Sequence, residues 1–294
     1  MARACRAVSR PVNFLTMFHR ANSRLLCATT LGSLSLLSGC LTTGTQDTAL
    51  APGEAPKQGL ILISEQQEAQ LGASAFADIK ASGKMSADTA QKAFIETIVR
   101  RLAAHAETGG AQWEVELFED PTPNAFALPG GKIGVHTGLL PIAANEAGLA
   151  AVLGHEIAHV ALRHGGQRMT QQLGISVGNR LLELAITNRQ SRERQAWLSA
   201  YGLGTSVFAA LPYSRRHEYE ADRMGMIYMA KAGYDPSEAV AFWRRMQKAG
   251  GAKPPEFLST HPTDQNRIAA IEKLLPEALA FYRPADALQP AATR

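Results

Sequence analysis

The 294-residue chain carries 30 lysines and arginines against 26 aspartates and glutamates, a formal net charge of +4, and 46% of its residues are hydrophobic. That profile fits a globular protein long enough to bury a sizeable core, as one large domain or two small ones, and excludes a disordered chain. The positive balance misleads, because residues 1–39 hold five arginines and no acid; removing those five from the 30 leaves 25 bases against 26 acids, and no nucleic-acid footprint remains.

Those arginines (Arg3, Arg6, Arg10, Arg20 and Arg24) precede an apolar run from Leu25 to Leu37, which ends in Leu37-Ser38-Gly39-Cys40. A basic stretch, a short apolar stretch and small residues before a cut make a secretory signal. The ending is similar to the bacterial lipobox, in which Cys40 is diacylated and becomes the mature N-terminus. Met17 would give a leader of more ordinary length. Cys5 and Cys27 leave with the leader and Cys40 takes the lipid, so the mature chain does not rely on disulfides. Leu41 follows the cysteine where an aspartate would favour the inner membrane; by analogy it points to the outer membrane. No other stretch is long enough to span a bilayer. The expected organisation is a signal peptide at 1–39, a flexible tether rich in Thr, Ala, Gly and Pro at 40–60, a folded domain at 61–284 and a frayed tail at 285–294.

The folded part opens with Ser64 and Gln67, a capping box that predicts a helix from Glu65 to about Lys80. Ser86 is expected to start a second helix, with an apolar stripe of Ile95, Ile98, Val99 and Leu102, ending near His105. The period then changes to two: Trp113, Val115 and Leu117 alternate with polar residues and predict a strand. Asp120-Pro121-Thr122-Pro123 makes a turn, Asn124 to Leu128 is extended, Pro129-Gly130-Gly131 reverses the chain, and Lys132 to His136 returns as a strand. An extended peptide could add to such a sheet as a further strand. His105 and His136 read as structural or exposed.

The next helix carries the strongest signal. Leu149 to His164 reads LAAVLGHEIAHVALRH and holds His155, Glu156 and His159 in the spacing H-E-x-x-H. Residues four apart share a helix face, so the two imidazoles can grip one metal ion. Glu156, at the edge of that face, reaches a water on the metal rather than the metal itself. Asn145 is the expected N-cap, Leu149, Leu153, Ile157 and Val160 an apolar back, and the small Gly154 and Ala158 allow close approach by another backbone. Gly165 and Gly166 are expected to end the helix.

A long helical region to Pro212 follows, with a polar stretch at 188–194 that could be a loop or lid. Ser214 then caps a helix in which Glu218 and Asp222 share one face. Glu218 can be the third ligand and Asp222 can hold the N–H of a ligating histidine. His217 competes as a ligand from a face about 100° away, and Glu220 is expected to be solvated. Gly233 ends this helix. Asp235 and Pro236 start the next, which buries Val240, Phe242, Trp243 and Met246 to about Gly250. Leu258 to Pro262 is expected to be a loop carrying His261, before a last helix that starts ahead of Arg267 and ends near Tyr282.

Together these residues resemble the zinc metallopeptidase family that includes HtpX and the CAAX prenyl proteases, and within it the lipid-anchored bacterial members. The matching stretches are Pro123 to Gly131, Thr137-Gly138-Leu139-Leu140, His155-Glu156-Ile157-Ala158-His159, Ser214-Arg215 with Glu218 to Asp222, Ala232-Gly233-Tyr234, and Ser259-Thr260-His261-Pro262 with Arg267. They follow the family's order over about residues 60–282. The resemblance implies an α+β, mostly helical, zincin-like (gluzincin-type) domain with a small sheet beside the active-site helix. It implies one zinc ion held by His155, His159 and Glu218, with Glu156 as general base and Asp222 behind a ligand. It further implies catalytic or substrate-side positions for His261 and Arg267, and a substrate strand at Asn124, Ala125 and Phe126. His261 would approach the metal and close the site when substrate is absent.

The expected function is cleavage of misfolded or unassembled envelope proteins at the periplasmic face of the outer membrane, with outer-membrane assembly machinery as a partner. An alternative is an assembly or chaperone-like factor with a latent zinc site. Relatives of that kind carry a helical repeat domain after the protease domain, and this chain stops soon after the Thr-His-Pro helix. A zinc hydrolase acting on peptidoglycan is a third reading.

Overall fold

In the computed structural model, which describes residues 56, 59–186, 213–249, 256–261 and 265–284, Ser64 opens α1 (Glu65–Ser82) through a reciprocal capping box. The backbone N–H of Gln67 donates to Ser64 Oγ at 3.2 Å, and that of Ser64 donates to Gln67 Oε1 at 2.9 Å. The leader, Cys40, most of the tether, the polar stretch 188–194 and the tail 285–294 lie outside the described residues.

Helix α2 (Thr89–Ala103) starts later than Ser86. Asp88 places its carboxylate on Gln91 N at 2.9 Å and takes the cap, while the Ser86 N–H is held by Leu117 O at 2.7 Å beside the first strand. Ile95, Ile98, Val99 and Leu102 face the core.

The strands β1 (Glu114–Phe118), β2 (Ala125–Leu128) and β3 (Lys132–His136) form one sheet in the order β1-β3-β2, with β1 parallel and β2 antiparallel to β3. Gly130 and Gly131, both with φ above 80°, close the β2–β3 hairpin. The expected alternation in β1 is absent, since Val115, Glu116, Leu117 and Phe118 are all buried. The sheet is covered on both faces: Val115, Leu117, Ile133 and Val135 join the main core, while Phe118 and Leu128 pack with Ala75 and Phe76 of α1.

A 3-10 turn (Thr137–Leu139) and the short α3 (Leu140–Ala143) lead into α4 (Glu146–Ala161). Asn145 caps it, accepting from Gly148 N at 2.7 Å. Every residue from Gly148 to His159 is buried, so α4 is a central helix rather than an amphipathic surface one. It ends at Leu162 and Arg163, not at Gly165 and Gly166. Arg163 takes φ 54°, and its side chain is held there by Glu68 and by Ile63 O. The two glycines open α5 (His164–Ile186) instead, and the side of Gly166 is already filled by the Glu68 carboxylate.

Helix α6 (Arg215–Lys231) is capped by Ser214, which accepts from His217 N, and is ended by Gly233 at φ 83°. Helix α7 (Ser237–Ala249) follows, and Asp235 Oδ1 accepts from Ser237 N at 2.8 Å. The expected loop at Leu258–Thr260 is a short helix, α8 (Glu256–Thr260), and the His261 N–H donates to Phe257 O at its end. Helix α9 (Gln265–Phe281) completes the described fold.

Helix α4 packs on α6, α2, α7 and β2, and α6 also packs on α9. At the α4–α6 crossing Gly154 meets Gly225 with backbone against backbone, which sets the separation of the two helices next to His155. No single helix among the described residues is long and apolar enough to cross a membrane.

Candidate metal centre

Three elements bring four donors to one buried point. Helix α4 supplies His155 and His159, α6 supplies Glu218, and His261 enters from the end of α8; a donor atom from each of the four lies within 4.8 Å of every other. His155 Nε2 is 3.0 Å from His159 Nε2 and 3.2 Å from His261 Nδ1. Glu218 Oε1 is 3.4 Å from His159 Nε2 and 3.1 Å from His261 Nδ1, and Glu218 Oε2 is 3.4 Å from His155 Nε2. All four residues are 2% exposed or less.

The far side of His155 is held as well. Its Nδ1 lies 2.9 Å from Asp222 Oδ1, one helical turn beyond Glu218 on α6. Arg267 grips Asp222 with two hydrogen bonds, at 2.7 and 2.8 Å, and pairs with Glu218 through its other terminal nitrogen. Its guanidinium lies 3.8 Å from the centre of the Trp243 ring. A fully buried arginine is sustainable here because two carboxylates face it.

The charge states follow from this packing. Burial pushes Glu218 up, but Arg267, His261, His155 and His159 outweigh it and hold its carboxyl well below the usual range. Burial also pushes Asp222 up, and Arg267 and His155 bring it below its ordinary value. His159 is driven well below its usual range, chiefly by burial, so its imidazole is neutral. Burial lowers His155, yet Asp222 and Glu218 more than compensate and raise it to about 9. A metal ion at the centre would take the place of that proton.

The donor set fits a metal ion. Imidazole nitrogens and a carboxylate converge at contact distance in a dry interior, where their lone pairs need a positive charge between them. Beside them Glu156 Oε2 accepts from the Ala127 N–H at 2.9 Å, while its Oε1 is buried, receives no hydrogen bond and faces His261 Nε2 at 3.4 Å. Burial raises the Glu156 pKa. This carboxylate therefore stands between the donor cluster and the sheet, with one oxygen spare.

The Glu156 contact also identifies the open edge of β2. Asn124 O accepts from His136 N, so the backbone groups of Asn124 face β3. Alternation along an antiparallel strand then turns Ala125 and Ala127 outward. Of the three expected substrate positions, Ala125 presents its backbone at the free edge, where Ala127 joins it. Phe126 faces β3 through its backbone, and its ring sits among Phe76, Phe118 and His136. A cavity of about 720 Å³ runs from Ala127, His159 and Tyr213 past Pro129 and Lys132 to α1.

Two residues depart from expectation or were not anticipated. Glu220 is 1% exposed, not solvated. It accepts from Arg216 and pairs with His164 at 3.1 Å. Tyr213, just before the cap of α6, stacks on His159 with ring centres 3.8 Å apart. His217 lies outside the cluster, with Nε2 3.1 Å from Gln167 Oε1 and its ring stacked on His164. His136 is also elsewhere, near Thr122 O and Asp120, and His105 is exposed.

Residues 89–275 match the family model of Peptidase family M48. Similar proteins include the mitochondrial metalloendopeptidase OMA1 of Schizosaccharomyces pombe, 39% identical over 195 residues, 66% of this chain and 56% of the relative. The protein of that name in Saccharomyces cerevisiae is 36% identical over 188 residues, 60% of this chain and 51% of the relative. The beta-barrel assembly-enhancing protease of Yersinia pestis is 31% identical over 255 residues, 83% of this chain and 52% of the relative. The chain thus spans about half the length of these curated relatives.

Proposed function

From the premise that the chain belongs to peptidase family M48, whose metallopeptidases use zinc, we propose that it is a zinc-dependent endopeptidase acting on misfolded or unassembled proteins of a bacterial cell envelope. The observation that carries this reading is the placement of Glu156. One of its oxygens is bonded to the outward edge of β2, and the other is spare beside the cluster of His155, His159, Glu218 and His261.

We assign His155, His159 and Glu218 as the zinc-holding residues. A zinc ion there would supply Lewis acidity, bringing the pKa of water towards neutrality and polarising a peptide carbonyl. A substrate chain that extends the sheet at Ala125 and Ala127 offers its backbone to the same edge, which favours unfolded segments over particular side chains. Glu156, released from Ala127 by the incoming strand, takes the proton from the attacking water and passes it to the leaving amine. Asp222 fixes the His155 ring through Nδ1. Arg267 is already engaged by Asp222 and Glu218, so positioning those two acids suits it better than binding the developing oxyanion. His261 can serve the oxyanion once it leaves the donor cluster.

The envelope setting is supported by the signal-like leader ending at Cys40, and by likeness to a bacterial relative named for β-barrel assembly. A lipid on Cys40 would tether the enzyme to the periplasmic face of the outer membrane. The test is cleavage of unfolded casein by the mature chain, with and without a chelator, beside Glu156→Gln. Chelator-sensitive cleavage that Glu156→Gln loses is the expected result; cleavage indifferent to both would refute it. Incubation with purified sacculi separates a peptidoglycan hydrolase.

A second reading is favoured by His261. As a fourth protein donor it completes a closed set, the pattern of zinc sites that do not turn over. The chain would then be a latent enzyme, or an assembly factor whose zinc is largely shut off.

A further inference from the structure

Building on the zinc-centre reading, we infer that His164, Glu220 and Arg216 form a positioning relay for His159, the counterpart of the Asp222–Arg267 pair behind His155. His164 is the first residue of α5, beyond the turn at Arg163 that ends α4, and it is fully buried. Its Nδ1 lies 2.9 Å from His159 Nδ1, on the side of the ring away from the donor cluster. Its Nε2 lies 3.1 Å from Glu220 Oε2, and Arg216 binds Glu220 Oε1 through Nε and Nη2, both at 2.9 Å.

Proton bookkeeping fixes the direction of this chain. His159 faces the cluster with Nε2, and a ligating nitrogen must offer its lone pair, so its Nδ1 carries the hydrogen. His164 Nδ1 must then accept, which leaves the His164 hydrogen on Nε2, aimed at a Glu220 oxygen. Each contact then holds one hydrogen, and the neutral reverse tautomer would set the His164 Nε2 lone pair against a carboxylate. The two ligand histidines are thus treated alike: each is braced at its distal nitrogen by a carboxylate of α6 that an arginine holds. His155 meets Asp222 directly, whereas the wider gap behind His159 is bridged by a second imidazole.

The arrangement predicts effects on metal binding, separate from cleavage. Zinc affinity would be measured by competition with a chromophoric chelator, and ligand geometry from the visible spectrum of the cobalt-loaded protein, using the mature chain. His164→Phe fills the space without an acceptor and should weaken zinc binding by about 10-fold or more, with a changed cobalt spectrum. His164→Asn, whose amide oxygen can stand where Nδ1 stood, should restore part of the loss. Glu220→Gln, close in shape but uncharged, should weaken zinc binding and move the spectrum in the same direction, and it keeps the inference testable if His164→Phe does not fold. A folded Glu220→Gln with wild-type affinity and spectrum overturns the relay. A wild-type chain that binds no zinc refutes the centre itself, and the relay with it.

Discussion

Gly154 of α4 and Gly225 of α6 touch without space for a side chain between them. A Cβ on Gly225 would stand 2.8 Å from the His155 backbone nitrogen, and one on Gly154 would stand 2.9 Å from the Gly225 carbonyl oxygen. The contact sits one residue before the first histidine of the cluster and between the two helices that supply three of its four donors. It sets how closely the imidazoles of α4 can approach Glu218.

Gly225→Ala should therefore cost stability although alanine is the better helix former. Helix propensity favours the substitution by about 1 kcal/mol, while overpacking at backbone contacts typically costs about 1–3 kcal/mol. The expected outcome is a net loss in thermal or denaturant unfolding, accompanied by weaker zinc binding. A variant stabilised by the propensity gain would show that the helices separate freely here.

Glu156→Gln tests the general base. The amide is the same size, but its oxygen can no longer accept a proton from water. Zinc content should stay at the wild-type level while cleavage of unfolded casein falls by about 10²–10⁴-fold. Normal turnover would remove Glu156 from the mechanism.

Much of this centre was legible in the sequence because the residues that meet there obey helix geometry. His155 and His159, and likewise Glu218 and Asp222, are four apart, and each pair shares one face. Glu220 was not legible. Two residues from Asp222 it should point to water, and it would on a surface helix; α6, however, is packed by α4 and α9 and reached by His164 from the start of α5. His164 was hidden by a break that follows no glycine rule, since Arg163 takes the left-handed conformation and the two glycines after it are helical. The short helix before His261 is not legible because Ser259 and Thr260 carry little helical preference and five residues are too few to show a helical period. Its burial against Trp243 through Phe257 supplies what propensity lacks.

His261→Ala separates the two readings of the fourth donor. Removing an imidazole that crowds His155 and Glu218 at 3.2 and 3.1 Å opens a position beside Glu156. If His261 holds the enzyme latent, the variant should cleave casein several-fold faster than wild type while keeping its zinc. If His261 serves the oxyanion, cleavage should instead fall with zinc unchanged. Rates within error of wild type would leave His261 neither role.

The most direct test of the metal centre is the zinc content of the dialysed protein beside Glu218→Ala. The wild type should hold one zinc ion per chain. Glu218→Ala should hold little or none, because it loses a ligand oxygen and the partner of the buried Arg267 together. A wild type without zinc, or Glu218→Ala at full occupancy, would contradict the assignment of His155, His159 and Glu218 as the metal-holding set.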